Sequence, residues 1–123
     1  MVRYLAVMCF ALVASFGCKD DETCERARMD LAKTWTKLRE SAARRKLAGV
    51  DVEGWQFVEE KAGLLESSFM TPRVTWQSAE KARQELAGRV KGLRTDTEGN
   101  QKGFQLSVEA AFKEQDQFTA SCR

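Results

Sequence analysis

The stretch CERARMDLAKTWTKLRESAARRK, residues 24–46, decides the fold. Cys24, Ala27, Leu31, Trp35, Leu38 and Ala42 recur at the i, i+3/i+4 spacing of one helix face. Acidic residues stand at the start of this segment and Arg44-Arg45-Lys46 near its end, the arrangement that complements the helix dipole. Gly49 then supplies a stop. The pattern predicts a first helix over residues 21–48, roughly 40 Å long at 1.5 Å per residue. A helix that long with one apolar face needs other elements to cover it.

Three further segments provide the cover. Asp51 is placed to cap a second helix, with Trp55, Val58, Ala62, Leu65 and Phe69 on one stripe. Phe57 and Leu64 fall outside that stripe. An apolar arc so wide belongs either to the centre of a bundle or to a face covered by another protein, which makes Phe57 and Leu64 the candidate partner surface. Thr71-Pro72, holding the only proline, reads as an N-cap followed by the first helical position. It predicts a third helix over 72–93 with Trp76, Ala79, Leu86, Val90 and Leu93 inward. The polar run RTDTEGNQKG, residues 94–103, reads as an exposed loop. A fourth helix follows over 104–121, with Phe104, Val108, Ala111, Phe112, Phe118 and Cys122 at helical spacing. No sustained alternation of period two appears, so the expected class is all-α without a sheet.

Ahead of these segments lies a leader. Arg3 precedes an uncharged apolar run from Leu5 to Phe16, the layout of a secretory signal peptide over residues 1–17. The run is too short for a membrane-spanning helix, which needs roughly 20 apolar residues. Ser15-Phe16-Gly17-Cys18 resembles the lipobox of bacterial lipoprotein precursors. That resemblance implies a diacylglycerol on the thiol of Cys18, with cleavage just before it. It covers residues 1–18 alone: Gly17 and Cys18 match the pattern, while Ser15 and Phe16 stand where Leu and a small residue are usual. Ser15-x-Gly17 also fits an ordinary secretory peptidase.

Cysteine parity separates the two cuts. Either removes Cys9, and ordinary secretion leaves Cys18, Cys24 and Cys122, an odd number in an oxidising compartment. Lipidation occupies Cys18 and leaves Cys24 and Cys122 to pair. Because a disulfide needs Cα atoms within about 7 Å, the start of helix one must meet the end of helix four. In an up-and-down bundle this requires an even number of long helices. The expected fold is therefore a four-helix up-and-down bundle closed by a Cys24–Cys122 disulfide, with Thr71-Pro72 as a true corner. Residues 18–23 would form a lipidated tether and 24–123 a single helical domain.

Charge patterning supports the pairing of the first two helices. Residues 26–46 are dominated by Arg and Lys, whereas Asp51, Glu53, Glu59, Glu60 and Glu66 face a lone Lys61. An antiparallel basic–acidic helix pair is expected. The alternative use of the basic face is attraction to anionic lipid headgroups. The formal net charge of +2 falls by one with Arg3, and nothing in that balance calls for nucleic acid.

Catalytic and cofactor signatures are not found. The chain has no histidine, the commonest general base and transition-metal ligand. It has no GxSxG and no phosphate-binding glycine loop. Asp96-x-Glu98-x-Asn100 starts like a calcium loop but has Gln101 and Ser107 where glycine and the bidentate glutamate belong. Trp35, Trp55 and Trp76 read as core, or as the lining of a ligand cavity. The expectation is a non-enzymatic, lipid-anchored module of the cell envelope, with no cofactor and no metal, presenting its distal loops or Phe57 and Leu64 to an envelope protein. The alternative is a carrier of a small ligand or lipid in a tryptophan-lined cavity. The inner and outer membranes stay open, the outer favoured.

Overall fold

The computed structural model describes residues 21–123; the leader and Cys18 lie outside the described residues. Four helices follow in order: α1 (Asp21–Lys46), α2 (Val52–Phe69), α3 (Trp76–Val90) and α4 (Glu98–Cys122). No strand occurs among the described residues. α1 packs on α2, α2 on α3 and α1 on α4. Cross-helix bonds show α1 and α2, and α3 and α4, to run antiparallel, and tie α2 to α3. Arg39 meets Glu66 and Lys46 meets Glu59 across α1 and α2. Lys61 meets Glu85 across α2 and α3. Arg83 meets Asp116 and Arg123 meets Glu80 across α3 and α4.

The ring closes covalently. Cys24 and Cys122 form a disulfide with Cα atoms 5.7 Å apart, so the first turn of α1 and the last of α4 lie side by side. At the opposite end Arg45 Nη2 donates to Asn100 Oδ1 at 2.6 Å, which brings the α1–α2 turn and the start of α4 together. The chain is an all-α, up-and-down four-helix bundle closed by its terminal disulfide.

The core contains the expected stripes. Leu31, Trp35, Ala42, Trp55, Val58, Ala62, Leu65, Phe69, Ala79, Leu86 and Val108 are fully buried. Trp55 meets Phe104 edge to face at 4.8 Å, and Phe69 meets Phe118 the same way at 5.9 Å. Such aromatic pairs add about 0.5–1.5 kcal/mol beyond area burial. Arg28, Ser68 and Gln115 are buried as well, and the sequence reading had not placed them inside. Trp76 and Phe112 sit at the edge of the core, half-buried.

Two boundaries differ from expectation. Thr71-Pro72 does not start α3: the Thr71 hydroxyl donates to the Arg73 carbonyl at 3.0 Å, forming a local turn, and Thr75 is the N-cap. Proline fixes its own φ without forcing a helix after it, and here the chain needs several residues to cross from α2 to α3. Six of the ten residues expected as the loop before Phe104, Glu98 to Gly103, are helical instead. Thr97 caps α4 by accepting from the Asn100 amide at 3.1 Å, a bond that offsets part of the helix cost of Gly99 and Gly103.

The α1–α2 connection behaves as the residues dictate. Gly49 adopts φ +81°, the left-handed conformation that ends many helices. Asp51 also has a positive φ, 54°, and makes no side-chain cap bond to α2. Its carboxylate is engaged elsewhere, accepting from Arg89 Nη2 and from the Arg94 amide, both at 3.1 Å. A Cβ on Gly54 would sit 2.5 Å from Arg89 Nη2 and 2.8 Å from Asp51 Oδ1, so a larger residue there would displace this pair.

The disulfide closes a ring spanning 98 positions. In the chain-entropy account a ring of that size contributes about 4.7 kcal/mol. Cys122→Ser is therefore expected to lower Tm by well over 10 °C, at roughly 4–8 °C per kcal/mol for a domain of this size. Equal melting of variant and parent by circular dichroism without reductant would overturn this. Glu66 gives a pH-dependent contribution: hydrogen bonding from Arg39, and secondarily from Thr36, holds its carboxyl below the usual range despite partial burial. Such a group stabilises the fold above its unfolded pKa, about 4.3, and the contribution is lost as pH falls through the lower folded value. Glu66→Gln should cost about 0.5–1 kcal/mol at neutral pH, the modest scale set by water's access to Arg39. Its deficit against the parent should begin to shrink in urea titrations below pH ~4 and fade as pH drops through the lower folded value.

Candidate functional site

Three surfaces carry what chemistry the bundle offers. The first is the disulfide end, where α1 begins, α4 ends and the α2–α3 connection crosses. Arg28 is buried one turn after Cys24. Its Nη1 donates to the Phe69 carbonyl at 2.6 Å, and its Nε and Nη2 donate to Glu25. The guanidinium thus occupies an orphan carbonyl at the C-terminus of α2, where the helix dipole favours a cation. Beside it lies an open cavity of about 270 Å³ whose walls include Asp21, Pro72, Trp76 and the disulfide. The Trp76 ring stacks on Phe118 at 5.6 Å, and the Arg123 guanidinium lies over it at 5.0 Å. Met70, at the tip of the connection, is 59% exposed.

The distal end is built around Arg45. Its guanidinium lies 5.7 Å from the Trp55 ring centre and 5.0 Å from that of Phe104, while its Nη atoms donate to Ser41 and Asn100. Nε is buried without a partner. Burial, with some repulsion from Arg44, lowers the pKa of Arg45 from its ordinary value. Trp55 Nε1 donates to the Arg94 carbonyl at 2.7 Å, locking the α3–α4 connection over the core. An open cavity of about 330 Å³ lies here between Arg44, Arg45, Thr95, Asp96 and Asn100.

This arrangement decides the fate of the calcium-like run. Glu98 starts a helix, Asn100 Nδ2 donates to Asp96 Oδ1 at 3.2 Å, and Asn100 Oδ1 accepts from Arg45. The oxygen that a cation would need is already held by one.

The third surface is the outer face of α2. Leu64 is 47% exposed, and Phe57 is half-buried with the Lys61 ammonium 5.1 Å from its ring centre. Lys61 is shared with Glu85 of α3 at 2.8 Å. The two apolar residues lie two turns apart on one side of the helix, with Lys61 between them. The structure brings Cys24 and Cys122 together and places Phe57 and Leu64 on the middle turns of α2.

No family model, curated protein or solved structure matches the chain. Function must be argued from the residues. Among the described residues no group of three or more His, Cys, Asp or Glu could hold a metal ion. The carboxylates with perturbed pKa, Glu66, Glu85 and Asp116, are each lowered first by a hydrogen bond from a cation on a neighbouring helix. Trp35 and Trp55 are sealed in the core against Phe112 and Phe104.

Arg28 escaped the sequence reading because a charge seldom lies inside. The signal was present: Cys24, Arg28, Leu31, Trp35, Leu38 and Ala42 form an unbroken i+4, i+3 alternation, into which Arg28 fits better than Ala27. Arg28→Ala is expected to cost about 2–3 kcal/mol, since it strips a buried carbonyl of a charged donor. Arg26→Ala, which removes an exposed i,i+4 pair with Glu22, should stay within ~0.5 kcal/mol. Urea denaturation of both variants distinguishes a structural cation from a surface one; equal costs would overturn the assignment.

Proposed function

We propose that this protein is a lipid-anchored, non-enzymatic interaction module of the bacterial cell envelope. The observation that carries the reading is the pairing of Cys24 with Cys122. With Cys9 removed in the leader, that pairing leaves Cys18 as the remaining thiol, at the position where the lipobox-like motif calls for acylation. A stable disulfide also suits an extracytoplasmic compartment.

The interaction role draws support from how the side chains are used. The interior is filled with packed aromatic and aliphatic groups, and the perturbed carboxylates are committed to ion pairs between helices. The apolar side chains turned outward include Leu64 beside half-buried Phe57, and Leu47 in the distal connections, 84% exposed. Exposed apolar residues ringed by polar ones suit a protein partner. With the anchor at the start of α1, the distal connections face away from the membrane, towards a partner in the envelope.

Two measurements test this. The intact mass of the processed protein should correspond to a chain starting at Cys18, carrying acyl groups and one disulfide; a chain free of acyl groups refutes the anchor. Crosslinking in whole envelopes should capture a discrete partner protein. The Phe57→Ser/Leu64→Asp double variant should reduce that capture by about tenfold, the effect of losing ~1.4 kcal/mol at a contact centre. Its Tm should stay within a few degrees of the parent, and undiminished capture would exclude this face.

A further inference from the structure

We propose that the disulfide end of the bundle rests on the bilayer itself, with Met70, Pro72 and Trp76 seated among the lipid headgroups beside the anchor. This deepens the lipid-anchor reading and rests on it.

Reach is the first argument. α1 begins at Asp21, so three residue steps separate Cys18 from the folded domain. Fully extended they span about 10 Å. The headgroup region of one leaflet is roughly 5–8 Å deep. A first helical turn held so closely cannot stand clear of the membrane. Asp21, Cys24, Pro72 and Trp76 line one cavity, so the α2–α3 connection is at the same height as the tether.

Composition is the second. Met70 is largely exposed at the tip of this connection, and Pro72 beside it is exposed too. Trp76 presents a half-buried ring stacked on Phe118, the amphipathic kind of side chain that settles at membrane–water boundaries. Trp35 and Trp55 are fully buried, so Trp76 is the tryptophan accessible from this end.

Charge is the third argument, and it fixes the kind of lipid. The arginines here are matched: Arg26 with Glu22, Arg28 with Glu25 and Arg123 with Glu80. Asp21 and Arg73 offset each other in sign. An end so nearly neutral has no call for an anionic surface; apolar seating in a zwitterionic headgroup layer suffices.

The test uses acylated protein, verified by intact mass, in phosphatidylcholine vesicles whose acyl chains carry bromine close to the glycerol. Bromine quenches an indole on contact. The emission of one tryptophan in three should be quenched. Trp76→Phe should abolish the quenching, and Met70→Asp, an exposed change in a connection, should at least halve it with Tm unchanged. Unquenched emission from acylated protein overturns the proposal while leaving the anchor standing, and this includes the case where a second copy or another protein covers the connection. Quenching that survives in Trp76→Phe, or that requires anionic lipid, overturns it as well. A mass without acyl groups removes the anchor and this inference together, so the two failures are told apart.

Discussion

The covalent bond between the first turn of α1 and the last turn of α4 is the constraint on which the bundle depends. It joins residues 98 positions apart at a Cα separation of 5.7 Å. Any arrangement with an odd number of long antiparallel helices would hold those two turns a helix length apart. Once they are joined, the corner at residues 70–75 must reverse the chain, and the distal connections must share the other end. A ring of four small helices gains from this more than from any single contact, since a domain of this size is commonly stable by only about 5–15 kcal/mol.

Within that ring, ion pairs act mainly as register marks. Arg39–Glu66, Lys46–Glu59 and Lys61–Glu85 each tie one helix to the next at a fixed height, and α2 is acidic toward α1 while lending Lys61 to α3. Partly exposed pairs of this kind contribute little each. Their value lies in rejecting slipped packings, where like charges would meet. Two other arginines act differently: buried Arg28 takes up the carbonyl end of α2, and half-buried Arg45 lies against Trp55 and Phe104.

Much of this architecture was legible in the sequence, because it rests on period and parity. The apolar stripes of α1, α2 and α4 gave the helices; the cysteine count gave their even number; the sign change between residues 26–46 and 51–66 gave the first pairing. What was not legible depends on partners distant in the chain. Nothing near Thr71-Pro72 tells that Thr71 spends its hydroxyl on Arg73, leaving Thr75 to begin α3. Gln115 completes the stripe Phe104, Val108, Ala111, Gln115, Phe118, Cys122, yet a polar residue within an apolar period reads as surface until its neighbours are known. Phe57 and Leu64 are candidates from sequence because they break the stripe, and Leu64 is exposed while Phe57 is half-buried. The Arg28 cavity was missed because its walls come from both termini and a corner.

The position of the disulfide also has a mechanical meaning. A load applied at the α1–α2 turn and resisted at the start of the chain runs the length of α1, and α4 would be the next element to peel away. The Cys24–Cys122 bond fastens α4 to α1 at one end, so the two can part only from the distal turns inward, and they stay joined when they do.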